Sequence, residues 1–214
     1  MHMRNLSARP DVRAKCWTVL WVLLVLNGCA NLQAPRSQEP ATIYTLGEQA
    51  SAPPVFDPKG PSISISVPTA GAGYRNSGMI YIQQDHRLDQ FAQHRWADAP
   101  AVMLHALLVN AAEESGKFRA VTIPGNRVDA DLRLDATMLY LHQDFRQKPS
   151  VVDLAMRVSL IERRHASILA SQVIRVSETA DEDTPYGGVK AANRAVVKML
   201  RQLHVFFSEQ VGRL

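Results

Sequence analysis

The feature that most constrains this 214-residue chain is its beginning. Arg4, Arg9, Arg13 and Lys15 stand against one acid, Asp11, and an almost purely apolar run, Trp17 to Leu26, follows and ends at Asn27-Gly28-Cys29. A basic segment, an apolar segment and a small-residue cut site in that order read as a secretory leader over residues 1–28. As a helix the apolar run spans only about 15 Å, roughly half of a ~30 Å hydrocarbon core. No later run is long enough to cross, so the leader is a removable address and whatever folds lies from Cys29 onward.

Leu26-Asn27-Gly28-Cys29 resembles the bacterial lipobox, in which a leucine and small residues precede the cysteine recognised by lipoprotein signal peptidase; Asn27 is a less usual occupant. The alternative is an ordinary secretory signal in which Cys29 is incidental. The resemblance implies that Cys29 becomes the first mature residue, thioether-linked to diacylglycerol and further acylated, for example by palmitate. The other cysteine, Cys16, lies in the leader, so the mature chain has no intramolecular disulfide. Burying acyl chains contributes about 0.8 kcal/mol per methylene, and two or three chains suffice for stable attachment where one is marginal. The globular part then need not touch the bilayer.

The formal charge of +4 belongs mostly to the leader, with its four cations and one acid, and the mature chain is close to neutral. The alkaline balance is therefore no nucleic-acid footprint, and no nucleic-acid partner is expected. Residues 29–41 are polar, contain Pro35 and Pro40, and read as a lipidated flexible tether; residues 42–214 suit one domain.

Within the domain, Thr42 to Leu46 reads as a first strand, and Ala50 to Pro61 is broken by four prolines. Ser62 to Val67 alternates small polar and β-branched residues at period two, the clearest strand signal present. Met79 to Ile82 is another short strand; Asp85 to Asp98 is polar and its conformation is not fixed by pattern. Asp98-Ala99-Pro100 predicts a helix start with an acidic cap, and Leu104, Leu107, Leu108 and Ala111 share one face until Gly116 ends it. After a short extended piece, Phe118 to Ile123, three longer strands are predicted over Asp131–Phe145, Val151–Glu162 and Ile168–Glu178, joined by turns short enough for hairpins. In the first of these the apolar side changes near Leu139, which predicts a bulge or burial on both faces.

Gly187 to Gly212 is predicted helical. Val189, Ala192, Val196, Met199, Leu200, Leu203, Phe206 and Phe207 fall on one side, and Lys190, Arg194, Lys198 and Arg201 on the opposite side. Such a stripe is usually the wet face of an amphipathic helix; the functional alternative is contact with anionic lipid or a partner, and a solvent face would tolerate charge reversal. The fold class expected is α+β: a largely antiparallel sheet with both helices on one face, a two-layer sandwich preceded by a signal peptide.

Motifs that carry chemistry do not emerge. There is no H-E-x-x-H, G-x-S-x-G, G-x-x-x-x-G-K or G-x-G-x-x-G, and Gly71-Ala72-Gly73 is a turn. His86 and His94 with Asp85 and Asp89 lack metal-ligand spacing. The chain is expected to be no enzyme and to hold no cofactor or metal.

Several segments then stand in a telling order: the lipobox; Ile43-Tyr44-Thr45-Leu46; a Pro-rich gap; Ile63 to Pro68; Met79-Ile80-Tyr81; His94-Arg95-Trp96-Ala97-Asp98-Ala99-Pro100; Ser115-Gly116-Lys117-Phe118; and Gln143-Asp144-Phe145. Together, over roughly residues 42–205, they resemble the ABC-type transport auxiliary lipoproteins, which include the lipoprotein of Pqi-type systems working with MCE-domain proteins. The resemblance implies a membrane-anchored periplasmic accessory subunit that acts by binding and scaffolding in intermembrane lipid transport. Its implied partners are an MCE-domain protein and ABC transporter subunits, with a homo-oligomeric ring around the conduit expected. It carries no catalytic residues. Trp96 and Tyr44 are expected as structural anchors, Trp96 burying against the sheet and fixing the helix entry. Ala30 and Asn31 follow the cysteine without the aspartate typical of inner-membrane retention, which favours the outer membrane. Two rival classes remain at this point: an envelope-structure or assembly lipoprotein, and an enzyme built around Asp85, His86, His94 and Asp98.

Overall fold

Residues 132–144 alternate Leu, Leu, Ala and Met inward with Arg, Asp and Thr outward, and this period-two pattern produces the long strand on which the rest of the sheet is built. The computed structural model describes residues 40–47, 53–125 and 129–214; the leader, Cys29 and the tether up to residue 39 lie outside the described residues. The strands are β1 (Thr42–Tyr44), β2 (Ser62–Ile65), β3 (Thr69–Ala70), β4 (Gly78–Ile82), β5 (Asp89–Trp96), β6 (Ala120–Thr122), β7 (Leu132–Asp144), β8 (Val151–Glu162) and β9 (Ser167–Thr179), with helices α1 (Pro100–Glu114) and α2 (Pro185–Val211).

One edge of β7 pairs along its length with β8, and β8 with β9, both antiparallel. The other edge is filled in turn by three short parallel pieces: β2 opposite residues 132–134, β3 opposite 137–138 and β4 opposite 143–144. In effect residues 62–82 form one interrupted strand beside β7. Beyond it, β6 runs parallel to β2 at one end, while at the other β5 is antiparallel to β4 and β1 parallel to β5.

The α+β class is as expected, and the antiparallel meander β7–β8–β9 is the largest paired region. The sheet is mixed, however, with five of the eight pairings among the described residues parallel. Strand patterning reports which face is apolar, and it does not report direction. The side change near Leu139 is a register shift between Met138 and Tyr140: before it the even residues face inward, after it Leu141 and Gln143 do. Two elements were not legible. β3 is too short, and the alternation of β5 slips at Ala92 and Gln93, opposite the register shift between Gly78 and Ile80 of β4, in a strand whose inward residues are mostly only partly buried.

Both helices pack on one face, α2 across β8 and β9, α1 across β2, β3, β6 and β7, and they touch each other. The core between the layers contains Ile63, Leu104, Leu134, Leu154, Met156, Val196, Leu203 and Phe207. α1 starts one residue later than expected: Ala99, not Asp98, is the cap, no side chain caps it, and Asp98 Oδ1 instead accepts from the Ala99 N–H. Its end is as expected, since Ser115 caps it and Gly116 follows in the left-handed region at φ 63°, where an L side chain is strained. α2 is capped by Thr184, whose hydroxyl accepts from the Gly187 N–H at 3.0 Å, with Pro185 in the first turn.

Candidate functional site

Tyr44 and Trp96 meet on paired strands, Thr42–Tyr44 lying parallel to and in register with His94–Trp96. Trp96 is 4% exposed and belongs to the core; its N–H donates to Ser77 O, and the next residue's N–H donates to Tyr44 O. These bonds fix the chain four residues before α1. Tyr44 is half-buried against the core, and its hydroxyl pairs with His94 Nδ1 at 3.1 Å over stacked rings. His94 also meets Phe91 edge-on, Phe91 packs on Tyr81 and Phe145, and Tyr186 of α2 leans on Tyr44 from the other side. A run of aromatic rings thus ties β1, β4, β5 and the start of α2 together.

The residues of the rival enzyme reading are engaged separately. His94 is held by Tyr44, Asp85 pairs with Arg146, Asp98 serves its neighbour's N–H, and His86 is exposed in a loop. No group of three His, Cys, Asp or Glu among the described residues is placed to hold a metal.

The buried end of β7 forms a latch that pattern reading did not identify. Gln143 Nε2 donates to Ser150 Oγ at 2.8 Å and to Thr184 O at 3.3 Å, joining β7, the β7–β8 turn and the α2 cap. Its Oε1 accepts no hydrogen bond among the described residues and lies against Gly188, where a Cβ would overlap it. Glycine at 188 lets the first turn of α2 approach the sheet closely. Beside it, the Arg146 guanidinium holds the Asp144 carboxyl below the usual carboxylate range and bridges it to Asp85. Asp183 completes the junction by accepting from the Ser150 N–H at 2.6 Å.

The four cations of the α2 stripe have unequal surroundings. Lys190 lies 3.5 Å from Asp181 and 3.6 Å from Glu182. Arg194 binds Asp181 and the Thr179 carbonyl and lies 3.6 Å from Glu178. Lys198 pairs with Glu178 Oε1 outside hydrogen-bond geometry. Glu178 is 8% exposed because the β9 register points it inward with Val176 and Ile174. Three of the four are therefore a seam that seats α2 on β9 and the acidic turn, and Arg201 alone has no partner among the described residues. A groove of about 590 Å³ runs beside it between α1 and α2, lined among others by Leu107, Ala111, Leu200, Arg201 and His204.

On the sheet face away from the helices, His142 Nδ1 pairs with the Tyr74 hydroxyl at 3.0 Å, its ring packs on Tyr140, and its Nε2 is 3.9 Å from Asp153. Burial outweighs Asp153 and keeps the imidazole below its ordinary value of 6.5; burial also pushes the Tyr74 phenol up to about 12. No helix among the described residues is long and apolar enough to cross a membrane.

The family model described as ABC-type transport auxiliary lipoprotein component matches residues 44–204. The chain belongs to that family. No curated protein matches this auxiliary lipoprotein in sequence. Among solved structures, protein XCC0632 from Xanthomonas campestris is similar at 18% identity and TM-score 0.70, over 81% of this chain and all of the other. An uncharacterised protein superposes at TM-score 0.62 with 13% identity, over 79% of this chain and all of the other. At such identities the likeness shows the fold alone. In the auxiliary lipoprotein fold the recurrent segments have structural explanations: Tyr44 and Trp96 align β1 with β5, Gly116 ends α1, Gln143 joins the sheet to the α2 cap, and Asp144 holds the turn after β7 through Arg146.

Proposed function

We propose that this auxiliary lipoprotein is a lipid-anchored, periplasmic, non-enzymatic subunit that docks an MCE-type conduit of an ABC-driven lipid-transport system at the outer membrane. The family match over residues 44–204 is the observation that supports it, since the family is that of auxiliary components of ABC-type transport. Lipid on Cys29 supplies position, the tether supplies reach, and the domain supplies protein contacts. Apolar cargo crossing an aqueous space needs a continuous shielded path, which is why a docking subunit at the far end is physically useful.

A ring of copies fits a central conduit, because heterologous contacts that close leave no open interface. Two of the outer strands are compatible with it: β9 runs parallel to β7, and β1 runs antiparallel to it through β4 and β5, so a β9 edge beside a neighbour's β1 would pair antiparallel. Of the basic stripe, Arg201 is the residue we retain as a contact for anionic lipid.

The test is affinity purification of the full-length chain, in detergent, from cells that co-express it with the ABC ATPase, permease and MCE-type protein of its own genome. Co-purification of the MCE-type protein with a multimeric auxiliary lipoprotein is expected. A strictly monomeric chain that retains none of them at micromolar concentration sinks the docking reading in favour of an envelope-structure lipoprotein.

A further inference from the structure

The face of the meander that the helices do not cover can be laid out row by row from the strand register. Asp135, Ser159 and Ser171 form one row, then Thr137, Arg157 and Val173, then Tyr140, Ala155 and Arg175, then His142, Asp153 and Ser177. Ala155 is fully buried yet lies outside the interlayer core, so it forms a low point enclosed by taller neighbours. Arg157 and Arg175 stand diagonally across this low point, both exposed, and neither makes a hydrogen bond or ion pair with any described residue. By contrast, the face's other charged groups are already engaged: Arg133 with Asp135, Asp135 with Ser66, Asp153 with Ser177.

Two guanidinium groups without a partner among the described residues, close to Tyr140 in the strand register and over a small-residue low point, have the composition of an interface centre, in which tyrosine and arginine are enriched and lysine is depleted. Each guanidinium offers a planar fork of donors suited to a carboxylate. An anionic bilayer is a poor match, because Asp135 and Asp153 lie on the same face and would meet its uniform negative field. A protein surface can place discrete carboxylates at the two arginines and avoid the aspartates.

We propose that the open sheet face centred on Ala155 is a protein-docking surface on which Arg157 and Arg175 receive the carboxylates of an acidic segment of a periplasmic partner. The proposal rests on the accessory-subunit reading and assigns its contact to this face rather than to the helical layer or the sheet edges. The two arginines set orientation and association rate, and Tyr140 supplies apolar area that loses water on docking.

The experiment places a photo-crosslinking amino acid at Ser171, on this face, or at Val205, on the exposed side of α2, in the full-length lipoprotein in cells, and identifies the adduct by mass spectrometry. The expected result is an adduct from Ser171 to an Asp- or Glu-rich peptide of a periplasmic domain, absent from Val205. Arg157→Glu with Arg175→Glu should reduce its yield about tenfold or more, while Arg157→Lys with Arg175→Lys keeps most of it. Both arginines are exposed, so melting curves of the variants should match wild type. A Ser171 adduct only to lipid or to another copy of this chain, no adduct, or a yield indifferent to charge reversal overturns the proposal. If the MCE-type protein still co-purifies with the doubly reversed chain, this surface assignment fails while the accessory reading stands; if it never co-purifies with wild type, that reading fails first.

Discussion

At the scale of single residues, aromatic side chains before α1 secure the junction of sheet and helix. Trp96 sits in the core with its backbone bonded to Ser77, and Tyr44 is locked to His94 on the neighbouring strand. We expect Trp96→Ala to lower stability by about 3–5 kcal/mol, the usual result of deleting a buried large aromatic, without a selective loss of partner binding at temperatures where the variant is folded. Thermal melts compared with co-purification check it; a wild-type melting curve with lost binding would move Trp96 to a contact surface. The importance of Trp96 was legible from its place two residues before the Asp98-Ala99-Pro100 turn. The pairing of Gln143 with Gly188 was not, because it joins positions distant in sequence and depends on how closely α2 lies on the sheet.

At the scale of elements, apolar periodicity located both helices, the three meander strands and the β7 bulge, since each has one face in the core. It missed β5, half of whose residues are exposed and whose alternation is broken by a bulge, and it could not give the parallel direction of β2, β3 and β4 along β7, which depends on the connections between them. The α2 stripe shows what a helical wheel omits: the wheel places Lys190, Arg194 and Lys198 outward, but the acids opposite them come from β9 and the turn after it. Charge reversal there was expected to be tolerated, as for a solvent face. The structure changes that expectation. Reversing Arg194 and Lys198 together leaves buried Glu178 facing like charge, and we expect a loss of about 2 kcal/mol, below the usual cost of breaking an enclosed pair because both cations are about half exposed. Denaturant melts of the double reversal, against Arg201→Glu as a control with no described partner, decide it; equal stability of all three proteins contradicts the seam.

At the scale of the whole molecule, we propose a division of labour between a lipid on Cys29 that sets location and a two-layer domain that makes contacts. The domain from Pro40 onward has its own core, so attachment and folding should separate cleanly. The chain's two cysteines are Cys16 and Cys29, and if residues 1–28 are removed as proposed, the loss of Cys29 removes no disulfide. The most direct measurement is palmitate labelling with membrane fractionation in high salt of the wild-type chain and Cys29→Ser, expressed at equal levels. Label and membrane sedimentation are expected for wild type, and for the variant no label and release to the soluble fraction with an unchanged melting curve. A Cys29→Ser protein that is still labelled, or still sediments with membranes in high salt, would contradict this division of labour.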